Sequence, residues 1–354
     1  MKILFLTIST FSNFPSYKRA TGEGAALARR GNEIYIAVED VPENRRRFEF
    51  EAQGCVPIWI KKGNVFAEAF QKLRAIRRIK PDFVYSLSYS FRNLKYFSFL
   101  FPRRTKYICE VCELFSAYRF WWIFREWFLL LESDRVVVAS KLLRDVFEMR
   151  AGGCHLKRPI LYHPYAYPVR DRTRMKQSTT SIVYMAYMSR GYGCFTVMEA
   201  FKMIADECPG MTLEMIGRGP EFEEMTAWVE AEKLGTRIHL RGYVDEEELD
   251  SYFSRAAIFV SPLRNAITER ARCPSKLFYY IPYNRPIVTC NIGNPPDILG
   301  GYGYYYTPGS AVDMCRVMRL AIHDSATFHF PASIVEGNSW DARAKEIEEW
   351  LWNE

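Results

Sequence analysis

Arg270-Ala271-Arg272-Cys273-Pro274-Ser275-Lys276-Leu277-Phe278-Tyr279-Tyr280, running on to Asn284-Arg285-Pro286-Ile287-Val288, is the stretch that decides the fold. It reads as a cationic loop, a helix opening at Pro274, a turn and a short apolar strand. Proline suits the first helical position, where its missing N–H costs nothing. The free N–H groups and positive dipole end of such a helix form an anion site. Lys276 in the first turn adds a mobile positive charge. Taken alone, the pattern equally fits a solvated helix start.

The chain around it has 354 residues, a length that suits two domains. With 49% apolar and 16% aromatic residues it can fill two packed cores. The apolar first strand does not read as a signal peptide: only Lys2 precedes it and polar residues follow at once. No apolar run approaches the ~20 residues needed to cross a bilayer. Nine scattered cysteines point to a reducing cytosol rather than a disulfide framework. Cys109 and Cys112 form the one CxxC, without a second pair or a nearby His, so they read as structural thiols rather than a zinc site.

Charge is uneven. Residues 1–170 carry 29 Lys and Arg against 16 Asp and Glu, while the whole chain is only +7. A basic first half suggests that it faces an anion. No helix-turn-helix, zinc-finger or RNP pattern accompanies the charge, so nucleic acid is not expected. An anionic membrane or acceptor fits better. The segment from Tyr118 to Leu129 is aromatic nearly all round, with Arg119 and Arg125 embedded. It reads either as a membrane-interface element or as a buried helix on the first sheet.

Short apolar strands alternate with helical patterns throughout, as in a doubly wound α/β sheet. Strands are expected at Ile3–Thr7, Glu33–Ala37, Phe83–Ser86, Lys106–Glu110 and Arg135–Ala139, with helices over Ala20–Arg30, Val65–Ile79 and Lys141–Ala151. The polar stretch 167–180 reads as a linker between a first domain, 1–166, and a second, 181–325. In the second, strands are expected at Ser181–Ala186, Thr212–Ile216, Ile238–Arg241, Ile258–Val260, Ile287–Thr289 and Gly303–Tyr306. Its helices are expected at Thr196–Glu207, Glu221–Leu234, Asp245–Ala256, Ser275–Ile281 and Ala311–His323. A closing segment, 326–354, holds a helix over Asp341–Trp352 with Ser339 as its N-cap.

Several segments resemble, in order, those of retaining GT-B glycosyltransferases of the family 4 type. The quoted helix is similar to their P-x-K-L-x-(D/E)-Y donor element, with Tyr279 in place of the helix acid. MKILFLTIS resembles their first strand, Gly31-Asn32-Glu33-Ile34 their GHEV, Lys80-Pro81-Asp82-Phe83-Val84-Tyr85 their KPDVVH. Ile216-Gly217-Arg218-Gly219-Pro220-Glu221 is similar to IGxGPE, and His239-Leu240-Arg241-Gly242-Tyr243-Val244 to hxFxGyV. The resemblance implies a GT-B fold: two Rossmann-like domains facing a central cleft, the second holding a nucleotide sugar and the first an acceptor. It also implies that the final helix returns to the first domain.

Lys276, Arg190 and Glu269 are the candidate catalytic residues: the resemblance implies Lys276, while Arg190 lies in the loop where the family's cations are missing and its planar fork suits phosphate oxygens. Lys276 and Arg190 would neutralise the leaving diphosphate; Glu269 is the nearest substitute for a sugar-contacting acid. Pro274, Ser275 and Tyr279 belong to the same donor element. Gly217 and Gly219 read alone as a tight strand-to-helix turn; the resemblance makes them, with Tyr243 and Val244, part of the nucleoside site. Arg19 and Glu113 fall on the acceptor side, where the family's His is Cys112. His163, in place of an Asn near the hinge, reads as structural. The family's two loop cations fall on Tyr187 and Tyr192, and its paired acids on Ala271 and Tyr279.

The expected activity is transfer of a hexose-type sugar with retention, from a UDP- or GDP-linked donor to a glycan or lipid-linked acceptor. The setting would be cytoplasmic and peripheral to the inner face of a membrane. The alternative is a non-catalytic GT-B partner or scaffold protein, favoured by the missing acids and cations. A sugar-nucleotide epimerase on the same fold would need a His-rich site that the sequence lacks. No clustered carboxylates suggest a metal site, and cationic side chains can neutralise a diphosphate. Sugar transfer is therefore expected to persist in EDTA; a strict Mn²⁺ or Mg²⁺ requirement in a radiolabelled-donor assay would contradict this.

Overall fold

A computed structural model describes residues 1–7, 15–167 and 180–352. The chain forms two compact units: Met1–Pro168 with Ala271–Cys273 and Gly337–Glu354, and Val169–Arg270 with Pro274–Glu336. The expected linker, 167–180, lies outside the described residues apart from Tyr167 and Thr180.

The first unit is built on seven strands: β1 (Lys2–Leu6), β2 (Glu33–Glu39), β3 (Val56–Ile60), β4 (Phe83–Ser86), β5 (Lys106–Val111), β6 (Arg135–Val138) and β7 (Ile160–Tyr162). They lie in the order β3-β2-β1-β4-β5-β6-β7, and every pairing is parallel. Parallel strands covered by helices on both faces are apolar runs rather than alternating ones. Ile3–Leu6 and Val136–Val138 are accordingly buried at every position. The two strands that the sequence reading missed are edge strands. Val56–Ile60 contains Pro57, which an edge tolerates, and Ile160–Tyr162 is three half-buried residues long.

The second unit repeats the plan with β8 (Ser181–Met185), β9 (Thr212–Ile216), β10 (Ile238–Gly242), β11 (Ala256–Ser261), β12 (Ile287–Cys290) and β13 (Tyr304–Tyr306). The order is β10-β9-β8-β11-β12-β13, again parallel throughout. Both units are therefore Rossmann-like.

The helix Val65–Ile79 is capped by Asn64, whose side chain accepts from the Ala67 N–H at 2.9 Å. Lys72 on this helix is not surface charge. It is buried, and its ammonium donates to the Thr7 carbonyl at 2.6 Å and Asn93 Oδ1 at 2.7 Å. Burial pushes its pKa down to about 7, against the pull of Glu68.

The C-terminal helix, Trp340–Trp352, belongs to the first unit and opens on Ser339, whose Oγ accepts from the Ala342 N–H at 3.2 Å. It crosses the helix Pro15–Arg29 at Gly22, where an added Cβ would meet Trp340 Nε1 at 2.3 Å. Beneath the crossing lies His163, fully buried, with Nδ1 3.0 Å from Glu346 and Nε2 3.3 Å from Glu23. Burial disfavours the imidazolium, but Glu23 and Glu346 outweigh it and raise the His163 pKa, with Arg19 opposing. The Glu346 carboxyl is lowered: burial opposes its charge, and His163 and Arg343 overcome that.

The two shifts bound a pH window. The protonated His163 stabilises fully below the free imidazole's pKa of about 6.5, and this is lost as pH rises through the raised value. Glu346 contributes above the free carboxyl's pKa of about 4.3 and loses it as pH falls through the lowered value. The thermal-midpoint difference between the native chain and Glu346→Gln should thus be largest near pH 6 and shrink toward pH 9. A difference constant across that range would show that no charge pair holds this helix.

Candidate active site

All six strands of the second unit run the same way, so their C-terminal ends share one edge. The strand order reverses between β8 and β11, and ligands of open α/β sheets bind at such a switch point. The loops after these two strands meet there. Gly193, in the left-handed region at φ +75°, lies against Pro262, and a Cβ on Gly191 would sit 3.3 Å from the Arg264 guanidinium carbon. Arg190 and Lys276 flank the same edge.

Lys276 is positioned by its own short helix, Lys276–Tyr280. Leu277, Phe278 and Tyr280 are buried; Tyr280 stacks on Phe259 at 4.3 Å, and its hydroxyl accepts from the Met185 N–H at 3.0 Å. That pins the Lys276 ammonium beneath the edge, 5.2 Å from the Tyr184 ring and shielded from solvent. Two expectations are corrected here. The charge is held rather than mobile, and the helix opens at Lys276, not Pro274. Ser275 is the cap residue, and the Pro274 carbonyl accepts from the Leu277 N–H at 3.1 Å. A five-residue helix that passes straight into a 3-10 turn, Ile281–Tyr283, carries little dipole, so Lys276 itself supplies most of the local positive charge. Tyr279 is half-buried on this helix.

Arg190 lies in the loop after β8, with its side chain 61% exposed. Its guanidinium is paired with Glu224 and lies over the Phe195 ring at 4.3 Å. Tyr187 and Tyr192, at the positions of the family's two loop cations, meet edge to face at 6.3 Å. Glu269 is buried on the short helix Ile267–Ala271, with Arg264 at 3.8 Å as a charge partner. Arg272, itself part of the first unit, lies 3.8 Å from Glu113. The sequence reading missed Arg264, although it is one of three arginines between β11 and the Lys276 helix.

Gly217 and Gly219 have a different reason from ligand approach. A Cβ on Gly217 would fall 1.8 Å from the Ala186 carbonyl oxygen, and one on Gly219 2.2 Å from that of Met188. Gly217 also has φ +131° and donates its N–H to the Gly242 carbonyl at 2.7 Å. The glycines let the β9 turn press against the loop after β8, so their first role is to set that loop's position. Tyr243 beyond β10 is 63% exposed and Val244 half-buried; both follow the Gly242 turn on the same edge.

In the first unit Arg19 is buried and engaged by carboxylates. It pairs with Glu110 at 3.0 Å and Glu23 at 3.6 Å, and donates to the His163 carbonyl at 3.2 Å. Burial opposes its charge, but Glu110 and Glu23 hold it protonated. Glu110 is itself raised by burial, with Arg19 opposing, and accepts from the Cys112 thiol at 3.1 Å. Glu113, next along, is half-exposed.

Residues 179–324 match the family model described as Glycosyl transferases group 1. The fold is that of HepE from Anabaena, solved in complex with UDP and glucose: TM-score 0.74 at 14% identity, with 100% of both chains covered. Sucrose-phosphate synthase from Thermosynechococcus elongatus matches at TM-score 0.71 and 14% identity over 99% of this chain and 98% of that one. The lipopolysaccharide outer core galactosyltransferase WaaB, in its apo form, matches at 0.63 and 11% over 99% of each. No curated protein sequence matches significantly. The fold is GT-B. The second unit carries a glycosyl transferases group 1 domain.

Gly217→Ala should destabilise the second unit, by about 1–3 kcal/mol from backbone strain before the clash is counted. Gly210, where an added Cβ meets nothing within 4 Å, is the control. Equal denaturant midpoints for Gly217→Ala and Gly210→Ala would refute the packing role.

Proposed function

We propose that this glycosyltransferase moves a hexose-type sugar from a nucleotide diphosphate donor to a glycan or lipid-linked acceptor with retention of configuration. UDP is the favoured nucleotide and GDP the next. The observation that carries the reading is the group 1 domain over residues 179–324, which spans Arg190, Gly217, Gly219, Tyr243, Val244, Glu269 and Lys276. Neighbours of the same fold solved with UDP and with UDP-glucose support the donor class.

In this reading the diphosphate sits at the edge between the loops after β8 and β11. Lys276 contributes a charge fixed before the donor arrives, which is the condition for electrostatic stabilisation of a leaving group without reorganisation. Arg190 exchanges Glu224 for phosphate oxygens, which its planar fork suits. Glu269, oriented by Arg264, addresses sugar hydroxyls. Tyr243 and Val244 border the nucleoside. With side-chain cations neutralising the diphosphate, no divalent metal is required. Retention would follow from attack on the face the diphosphate leaves, with a phosphate oxygen taking the acceptor's proton. We place the activity in the cytoplasm, peripheral to a membrane.

One set of observations favours a second reading, a non-catalytic partner protein on the same fold. Tyr187 and Tyr192 occupy the usual cation positions, and Arg190 already has a carboxylate partner. Donor hydrolysis separates the two: the enzyme releases UDP slowly from UDP-sugar without acceptor, and the partner protein releases none.

Calorimetric titration with UDP tests the donor site. Lys276→Ala should weaken UDP binding by about 1–3 kcal/mol, the range of a hydrogen bond to a charged group. Unchanged affinity for UDP and GDP in this variant would remove Lys276 from the site.

A further inference from the structure

The first unit exposes an aromatic face that its own fold does not use. The helix Ile123–Glu132 is apolar on two sides. Its inner side buries Leu129, Leu130 and Glu126, the last held by Arg150 and by the Ser116 N–H at 3.0 Å. Its outer side carries Phe124, Phe128 and Leu131, spaced i, i+4, i+7 and all exposed. Ahead of the helix, Phe120 and Trp121 are 77% and 61% exposed.

The face continues into the preceding loop: Tyr96 meets Phe128 at 5.4 Å and Phe91 at 5.5 Å. Tyr96 is held there against backbone cost. It has φ +70°, rare for a bulky side chain, and Glu132 pins the loop by accepting from the Tyr96 and Ser98 N–H groups at 2.9 and 3.1 Å. Soluble monomers rarely expose so contiguous an aromatic patch unless it binds something.

Charge selects the partner. Residues 87–132 contain seven Lys and Arg against four acids. Each acid is engaged: Glu110 by Arg19, Glu113 by Arg272, Glu126 by Arg150, and Glu132 by the Tyr89 hydroxyl and two backbone N–H groups. The cations of the patch lie over rings instead, Lys95 4.5 Å from Tyr96 and Arg119 5.8 Å from Trp122. Aromatic side chains with interleaved cations match the interface of an anionic bilayer, where rings lodge at headgroup level and Lys and Arg meet lipid phosphates. No described helix is long and apolar enough to cross a membrane.

We propose that the face formed by Phe91, Tyr96, Phe120, Trp121, Phe124 and Phe128, with Lys95 and Arg119, docks the protein on an anionic lipid surface. This rests on the reading of a membrane-peripheral transferase and names the surface that makes the contact.

The test is co-sedimentation of the full chain with vesicles of phosphatidylcholine alone, or with about 30% phosphatidylglycerol, at low and high salt. The native chain should bind the anionic vesicles, and less at high salt. Trp121→Ser with Phe124→Ser, and Lys95→Glu with Arg119→Glu, should each lower the partition coefficient at least tenfold. Phe50→Ser, exposed on another helix, should not. Unchanged thermal melts establish that the variants fold. No sedimentation with anionic vesicles, equal binding by the double variants, or self-association lost with Trp121→Ser would each overturn the proposal; the last would assign the face to a second copy. Donor and acceptor are absent throughout. A failed transfer assay therefore leaves this docking intact, and failed docking leaves the donor reading intact.

Discussion

Parallel strand pairing is the constraint from which the candidate site follows. A strand joined in parallel to its neighbour must be reached by a crossover, so all the C-terminal ends lie on one edge. In the second unit that requirement gathers Ala186–Gly193, Gly217–Glu221, Tyr243–Val244, Pro262–Arg270 and Pro274–Lys276, which are far apart in sequence, along one line. The order β10-β9-β8-β11-β12-β13 then parts the crossovers to opposite faces between β8 and β11. Gly217 and Gly219 make the gathering tight: with any side chain there, the loop bearing Arg190 would be forced off the edge.

Within that line the cations differ in how firmly they are held, and magnitudes decide what each can do. Arg190 and Glu224 are both largely exposed, and such a pair contributes about 0–1 kcal/mol. Charge-assisted hydrogen bonds to phosphate are worth about 1.5–3 kcal/mol, so an arriving diphosphate wins the guanidinium from Glu224. The pair therefore stores Arg190 near the site rather than blocking it. Lys276 is held by the fold itself, because Leu277, Phe278 and Tyr280 fix its helix to the sheet. Arg19 in the first unit is the opposite case. It is shared among two buried carboxylates and a carbonyl, and removing it would leave Glu110 without its cation, at a cost of about 3–5 kcal/mol. Its burial makes it a framework residue that sets the ends of β5 and the C-terminal helix.

The sheets were legible because buried parallel strands are written as apolar runs. Phe83–Ser86 and Thr212–Ile216 lie where the sequence puts them, and the helix Val65–Ile79 agrees to the residue. What was not legible lacks that signature. Pro42–Glu51 buries only Asn44 and Phe48 and carries three arginines, so it shows almost no apolar face. The site's residues were legible by motif, but their states were not. Nothing in a string of letters says that Lys276 lies under Tyr184, that Lys72 points inward, or that the glycines of Gly217-Arg218-Gly219 answer to a neighbouring backbone. Those are consequences of three-dimensional crowding between segments about thirty to ninety residues apart.

The same crowding sorts the surplus charge of the first unit. Arg45 is taken by Asp40, Arg47 and Lys18 by Glu51, Arg29 by Asp341 and Arg30 by Glu348. Of Arg45, Arg46 and Arg47, the first and last are thus answered by Asp40 and Glu51. The unanswered charge is displaced toward Arg74, Arg77 and Arg78 and toward the 87–132 segment, where every carboxylate is already engaged. Charge alone would give loose attraction that salt abolishes over a few ångströms of screening. Exposed rings alone would give adhesion without preference for lipid charge. Having both on one face supplies depth and selectivity together, and the Glu132 bracket around the Tyr96 loop keeps the two in register.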